Sequence, residues 1–132
     1  MRAIRLFILP ALLALAACDP GGSDPPEPEG GTFHAVLASP NGAEGAVSLQ
    51  LTGGGITSLQ GTGSTLLAST VSGGKRVVVL REPAGSIEFD MTVARGYDVP
   101  EVQVLEVVDG QDQPRASLNG YDVELTRTGN AP

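Results

Sequence analysis

Apolar and polar positions alternate in short runs along most of this chain, with the period of two that belongs to half-buried strands. In Thr32–Ala38, Phe33, Ala35 and Leu37 fall on one face; in Ala46–Thr52, Val47, Leu49 and Leu51 oppose Ser48 and Gln50. Further runs rich in Val, Leu, Ile and Thr occupy Ile56–Gln60, Thr65–Val71, Lys75–Arg81, Ser86–Ala94, Glu101–Val108 and Tyr121–Arg127. Turn residues separate them: Ser39-Pro40-Asn41-Gly42, Gly53-Gly54-Gly55, the glycines at 61 and 63, and Gly73-Gly74. No stretch has the helical period over a useful length. This is the pattern of an all-β sandwich or barrel, and it predicts a small antiparallel β-sandwich of about seven or eight strands over residues 32–132.

One hairpin can be given a register. Glu82-Pro83-Ala84-Gly85 suits a type I turn with Pro second and Gly at a left-handed position. Pairing Glu82 with Ser86 sets Val79 opposite Phe89 and Val77 opposite Met91, so Val77, Val79, Ile87, Phe89 and Met91 form a core face. The other face carries Glu88 and Asp90 beside Val78 and Leu80. Being half apolar, it reads as partly covered or as a contact surface.

The first residues follow a different pattern. Arg2 and Arg5 precede an apolar run from Leu6 to Ala17. A membrane helix needs roughly 20 residues at about 1.5 Å each, so this run is too short to span and fits the apolar core of a secretory signal. Pro10 within it suits a transient segment. The run ends Leu15-Ala16-Ala17-Cys18, which resembles the lipobox of bacterial lipoproteins. The resemblance implies removal of residues 1–17, a thioether-linked diacylglycerol on Cys18 and acylation of the new amino terminus. It places the mature chain in the bacterial cell envelope, held by membrane lipid, and periplasm-facing in a Gram-negative host. In enteric bacteria an aspartate after the lipidated cysteine favours retention at the inner membrane, so Asp19 leans that way.

Residues 19–31 contain no apolar side chain other than proline and carry Asp19, Asp24, Glu27 and Glu29. Such a segment cannot bury enough surface to order itself. With Cys18 it reads as a disordered tether (18–31), reaching roughly 40 Å if extended at about 3.1 Å per residue.

Charge and cysteine usage narrow the function classes. The chain has a formal net charge of −7, and the acidic excess grows once Arg2 and Arg5 are cut away. With no basic stripe to neutralise phosphates, nucleic-acid binding is excluded. Cys18 is the single cysteine, so the domain has no internal disulfide, cysteine-rich metal site or thiol chemistry.

The candidate sites are sparse. His34 is the single histidine, and no G-x-S-x-G nucleophile elbow accompanies it. Glu88, Asp90 and Glu106 supply the carboxylates that glycoside hydrolysis needs, but alternating exposed acids on a sandwich produce such pairs by default. Asp109-Gly110-Gln111-Asp112 bends two carboxylates together, short of the roughly six to eight oxygens that calcium takes. Asp98 and Glu101 flank Val99-Pro100 similarly. Tyr97 offers the one plausible exposed ring, and Leu118-Asn119-Gly120-Tyr121 has the look of a tyrosine corner. The glycine-rich stretches lack the Lys-Ser/Thr and helix of a phosphate loop.

The order of segments from Ala46 to Leu125, with its Ser-Ile-Glu-Phe-Asp-Met and Gly-Tyr-Asp-Val-Glu-Leu strands, loosely resembles cohesin-type and immunoglobulin-like modules. The resemblance implies a sandwich and carries over no partner-binding residue. The expectation is therefore a non-catalytic accessory or interaction module without a cofactor, meeting an envelope protein or polymer. The alternative is a ligand- or calcium-binding sandwich using the loops at 95–101 and 109–115, with Tyr97, Asp98, Asp109 and Asp112.

Overall fold

In the computed structural model, residues 21–132 are described. The expected signal segment 1–17, the expected lipidation site Cys18 and Asp19 lie outside the described residues. Eight strands follow: β1 (Gly31–Ala38), β2 (Glu44–Thr52), β3 (Ile56–Gly61), β4 (Thr65–Val71), β5 (Gly74–Gly85), β6 (Glu88–Val93), β7 (Glu101–Val108) and β8 (Asp122–Gly129). They form two four-stranded sheets, β3-β6-β1-β8 and β4-β5-β2-β7, with every pairing antiparallel. The protein is an all-β sandwich.

The alternation explains the layers. Phe33, Ala35 and Leu37 of β1 and Phe89, Met91 and Val93 of β6 point inward from the first sheet; Val47, Leu49, Leu51, Val77, Val79 and Val107 meet them from the second. The central strands thus supply almost all of the buried core, and the edge strands contribute partly buried residues such as Leu59, Leu66, Val104 and Leu125. Each fully buried Leu, Ile, Phe or Met contributes about 1.5–3 kcal/mol by leaving water, and no disulfide is needed to hold such a core.

The chain changes sheet at every connection except β4 to β5, which are joined by the short turn Ser72-Gly73. The hairpin expected at Glu82–Gly85 does not exist. β5 lies between β4 and β2, and β6 lies between β3 and β1, in the opposite sheet. Residues 81–84 instead make an excursion between the Ala46–Leu80 and Glu44–Gly85 pairs, and the Glu82–Pro83 peptide is cis. The predicted core face is nevertheless buried throughout, from Val77 to Met91. An inward-facing residue looks the same in a sequence whether its neighbour sits beside it in one sheet or across the core. The outer faces separate accordingly: Glu88 and Asp90 lie on one side of the sandwich, Val78 and Leu80 on the other.

The tether joins the domain earlier than its composition indicates. The Pro28 carbonyl accepts a hydrogen bond from the Gly96 N–H at 2.8 Å, and Gly30 and Gly31 are buried. Gly30 adopts φ 62° against the Val93 and Ala94 carbonyls, where a Cβ would collide with backbone oxygen. Residues 21–27 are exposed and irregular.

Candidate functional site

The antiparallel pairings sort the loops into two ends. The tether, the turns after β2, β4 and β6, and the last residues of β8 gather at one end. The β1–β2, β3–β4 and β7–β8 connections and the excursion of β5 gather at the other. The far end holds the most densely bonded polar cluster, centred on Glu44, which is 1% exposed. Its Oε2 accepts from Arg115 Nε at 3.0 Å; its Oε1 accepts from Ser39 Oγ at 2.8 Å and from the Tyr121 hydroxyl. Asn41 Nδ2 donates to the same tyrosine oxygen at 2.8 Å. A buried carboxylate costs several kcal/mol in desolvation, so its partners must be supplied, and two connections, β1–β2 and β7–β8, converge to supply them. The hydrogen bond to Glu44, foremost, and the charges of Glu44 and Asp109 raise the pKa of Arg115.

Sequence periodicity missed Glu44 for a physical reason. Counting back from the inward Val47 puts Gly45 inside and Glu44 outside, but the register of β2 on β5 shifts between Glu44 and Ala46. The bulge turns the acid inward. Its partner Arg115 lies 71 positions away, and no local signal links them. Leu118 to Tyr121 form a turn, with the Tyr121 N–H donating to the Leu118 carbonyl at 3.1 Å, but not a tyrosine corner. The tyrosine hydroxyl bonds the Glu44 carboxylate, where an immunoglobulin-type corner bonds upstream backbone.

His34 lies on the outer face of β1 between two acids of β6. Nδ1 is 2.8 Å from Asp90 Oδ1, and Nε2 is 3.4 Å from Glu88 Oε2. The hydrogen bond to Asp90, then the charges of Asp90 and Glu88, outweigh partial desolvation and raise the imidazole pKa above its usual value. A nucleophilic arrangement needs one ring nitrogen facing a hydroxyl; here both face carboxylates. Ser86 Oγ donates to Glu88 at 2.8 Å. Thr62 Oγ1 lies 3.4 Å from Asp90 Oδ2. Glu106 sits on β7 in the opposite sheet, opposite Ser48 of β2, so the structure does not bring it to the Glu88–Asp90 pair.

The two candidate ligand loops do not meet. Residues 95–101 precede β7 and residues 109–115 follow it, so the strand separates them by about 27 Å. Tyr97 is 49% exposed, and its other face lies on Gly54 and Gly55, where any Cβ would enter the ring. The tyrosine's position thus requires glycine at 55, where φ is 73°. Asp98 is exposed beside it. At the far end, Asp109 Oδ1 accepts from the N–H groups of Gln113 at 2.9 Å and Gln111 at 2.8 Å. Those bonds, with Arg115 nearby, lower its pKa. The carboxylate is occupied in shaping its own bend. Asp112 is exposed with φ 60°. No cluster of three or more His, Cys, Asp or Glu side chains among the described residues has metal-ligand geometry.

The surface depressions are shallow. One, of about 590 Å³, lies at the tether end among Gly53–Gly55, Thr70, Val71 and Gly73–Lys75. Lys75 is its one charged side chain, so it lacks the convergent polar groups of a specific ligand site.

The long flanks differ more than the ends. β3 and β4 are the edge strands on one flank and touch one another; β7 and β8 are the edges on the other. No Asp, Glu, Lys, Arg or His occurs from Gly45 to Gly74. The β7/β8 flank carries Glu101, Glu106, Asp122, Glu124 and Arg127. Beside β4, the outer face of its sheet has an apolar patch next to the Ser69–Arg76 pair: Leu67 is 60% exposed, Leu80 is 42% exposed, and Val78 pairs with Leu67.

No family model, no curated protein and no solved structure matches this chain.

Proposed function

We propose that the protein is a membrane-anchored, non-catalytic lipoprotein that displays a β-sandwich interaction module in the bacterial cell envelope. One observation carries the reading: a charged start, a short apolar run, Leu15-Ala16-Ala17-Cys18 and a Pro/Gly/acid segment stand in that order directly before the first strand at Gly31. On this reading residues 1–17 are removed, Cys18 carries diacylglycerol, and the acidic segment holds the domain off an anionic surface. Two or three acyl chains give a firm anchor, since each buried CH₂ contributes about 0.8 kcal/mol and one chain alone is marginal. Asp19 favours the inner membrane of a Gram-negative host. The non-catalytic part of the reading is supported by His34, whose nitrogens face two carboxylates, and by the shallow relief of the surface.

Mass spectrometry of the chain recovered from its native membranes tests the proposal. The expected mature terminus is Cys18 with the mass of a diacylglyceryl group, and Cys18→Ala retains residues 1–17. A water-soluble chain with a free thiol at position 18 overturns it.

A further inference from the structure

We infer that β4 is a docking edge for a second copy of this chain, the two strands pairing antiparallel to join two sandwiches through one continuous sheet. The proposal deepens the interaction-module reading by naming the partner, and in that sense rests on it. The pairing itself does not require the lipid anchor.

An edge strand presents a row of unpaired backbone donors and acceptors, and proteins that stay monomeric blunt such edges with charges, prolines, bulges or covering segments. Three of the four edges here are blunted. β7 carries Glu101 and Glu106, has a register shift against β2, and is partly covered at its end by the Val108–Pro114 bridge. β8 carries Asp122, Glu124 and Arg127 and has a shift against β1; the Arg127 guanidinium lies 5.1 Å from the centre of the Phe33 ring. β3 is uncharged but shifts register between Ile56 and Ser58. β4 has none of these devices. Its sequence Thr-Leu-Leu-Ala-Ser-Thr-Val contains no charge and no proline, and its pairing with β5 runs unbroken from Thr65–Leu80 to Val71–Gly74.

Charge favours a copy of the same chain as the occupant. The protein is acidic, so most approaches of two copies set like charges together. The segment Gly45–Gly74 is the exception, because it has no charge to repel its own image. The nearest cations lie one strand back and each has a partner in the chain: Arg76, opposite Ser69, donates to Gln50 Oε1 at 3.3 Å, Lys75 Nζ to Thr70 Oγ1 at 3.3 Å, and Arg81 to the Gly63 carbonyl. A twofold interface is self-complementary. With the axis at Leu67, that residue meets its mate, Thr65 meets Ser69, and Leu66 meets Ala68. The paired strands gain about four to six backbone hydrogen bonds. The exposed Leu67 and half-buried Val78 of each copy then join in one apolar strip across the seam. Copies held on one membrane meet at a raised effective concentration, and the residues ahead of Pro28, where the chain joins the domain, reach roughly 30 Å at about 3.1 Å each, which lets both anchors insert although the two domains point in opposite directions.

The test uses the full chain in detergent. Sedimentation across a concentration series is expected to show a monomer–dimer equilibrium. Leu67→Lys, at an exposed position, is expected to weaken it at least about tenfold with an unchanged thermal melt. Leu67→Cys is expected to form an intermolecular disulfide on mild oxidation, whereas Glu106→Cys on β7 and the parent chain, with Cys18 alone, stay at background. The inference is overturned by a parent chain that remains monomeric throughout, by equal crosslinking at positions 67 and 106, or by a Leu67→Cys chain that crosslinks only to a different protein on native membranes. None of these outcomes bears on the mass of Cys18, so failure here leaves the anchoring proposal to its own measurement.

Discussion

The two long flanks of this sandwich are built from the same secondary structure and protected in opposite ways. The β7/β8 flank is charged, bulged and tied down at its far end, where Arg115 and Tyr121 from the β7–β8 connection reach Glu44 on β2. The β3/β4 flank has no ionisable side chain on either edge strand and depends on backbone pairing and partly buried Ile56, Leu59 and Leu66. Charge and irregular register keep a strand edge single, and their absence leaves it able to pair. Stability is distributed differently as well. On one flank it depends on a satisfied buried charge, which fails abruptly when a partner is lost; on the other it depends on packing, which fails by degrees.

The largest expected effect lies on the charged flank. Glu44→Ala leaves Arg115 and the Tyr121 hydroxyl without their acceptor and opens a gap under the β7–β8 connection. It should destabilise the fold by about 3 kcal/mol in urea unfolding. A loss below about 1 kcal/mol would mean that the cluster is decoration. Tyr121→Phe removes one donor and keeps the ring, so about 1 kcal/mol is expected from the same measurement; no change at all would show that Ser39 and Arg115 suffice. The next test transposes the flanks. Glu101→Thr with Glu106→Thr should leave thermal stability within about 0.5 kcal/mol while raising self-association in sedimentation. If the doubly substituted chain associates no more than the parent, charge is not what keeps β7 single.

The smallest effect is expected at His34. Its folded-state pKa is raised by the bond to Asp90 and by the acids around it. The stability it contributes is therefore fully present below the unfolded histidine value and is lost as pH rises through the raised folded value. Because the pair is partly solvated, His34→Gln should cost no more than about 0.5 kcal/mol at acidic pH and nothing at alkaline pH. A histidine resonance titrating below its usual midpoint by NMR would contradict the geometry. Asp109 runs the other way. Its lowered pKa means that the contribution from its bonds to Gln111 and Gln113 stands above the unfolded carboxylate value and fades as pH falls through the lowered folded one.

Much of the fold is legible in the sequence because the period of two survives any sheet topology. Thr65–Val71 and Glu101–Val108 end where the alternation and the glycines say they end, and all the inward residues of β1, β2, β5 and β6 are buried. Two things were not legible. The assignment of β5 and β6 to different sheets was hidden because Val79 and Phe89 face the same core from either side. The Glu44 cluster was hidden because one bulge inverts the alternation at that point. The candidate loops illustrate the same limit: Tyr97 and Asp109 are close in sequence but sit at opposite ends of an extended strand.

Alternation, turn residues and the absence of any helical period determined by themselves that this chain folds as two layers of strands, and they named its core. The N-terminal run of charge, apolar residues and Cys18 is what the proposed membrane anchoring rests on. Only the tertiary structure decided which strands became edges, which acid turned inward and which flank was left neutral. Those outcomes depend on pairing partners far apart in the chain, and side-chain periodicity reports which face a residue takes, not which strand lies beside it.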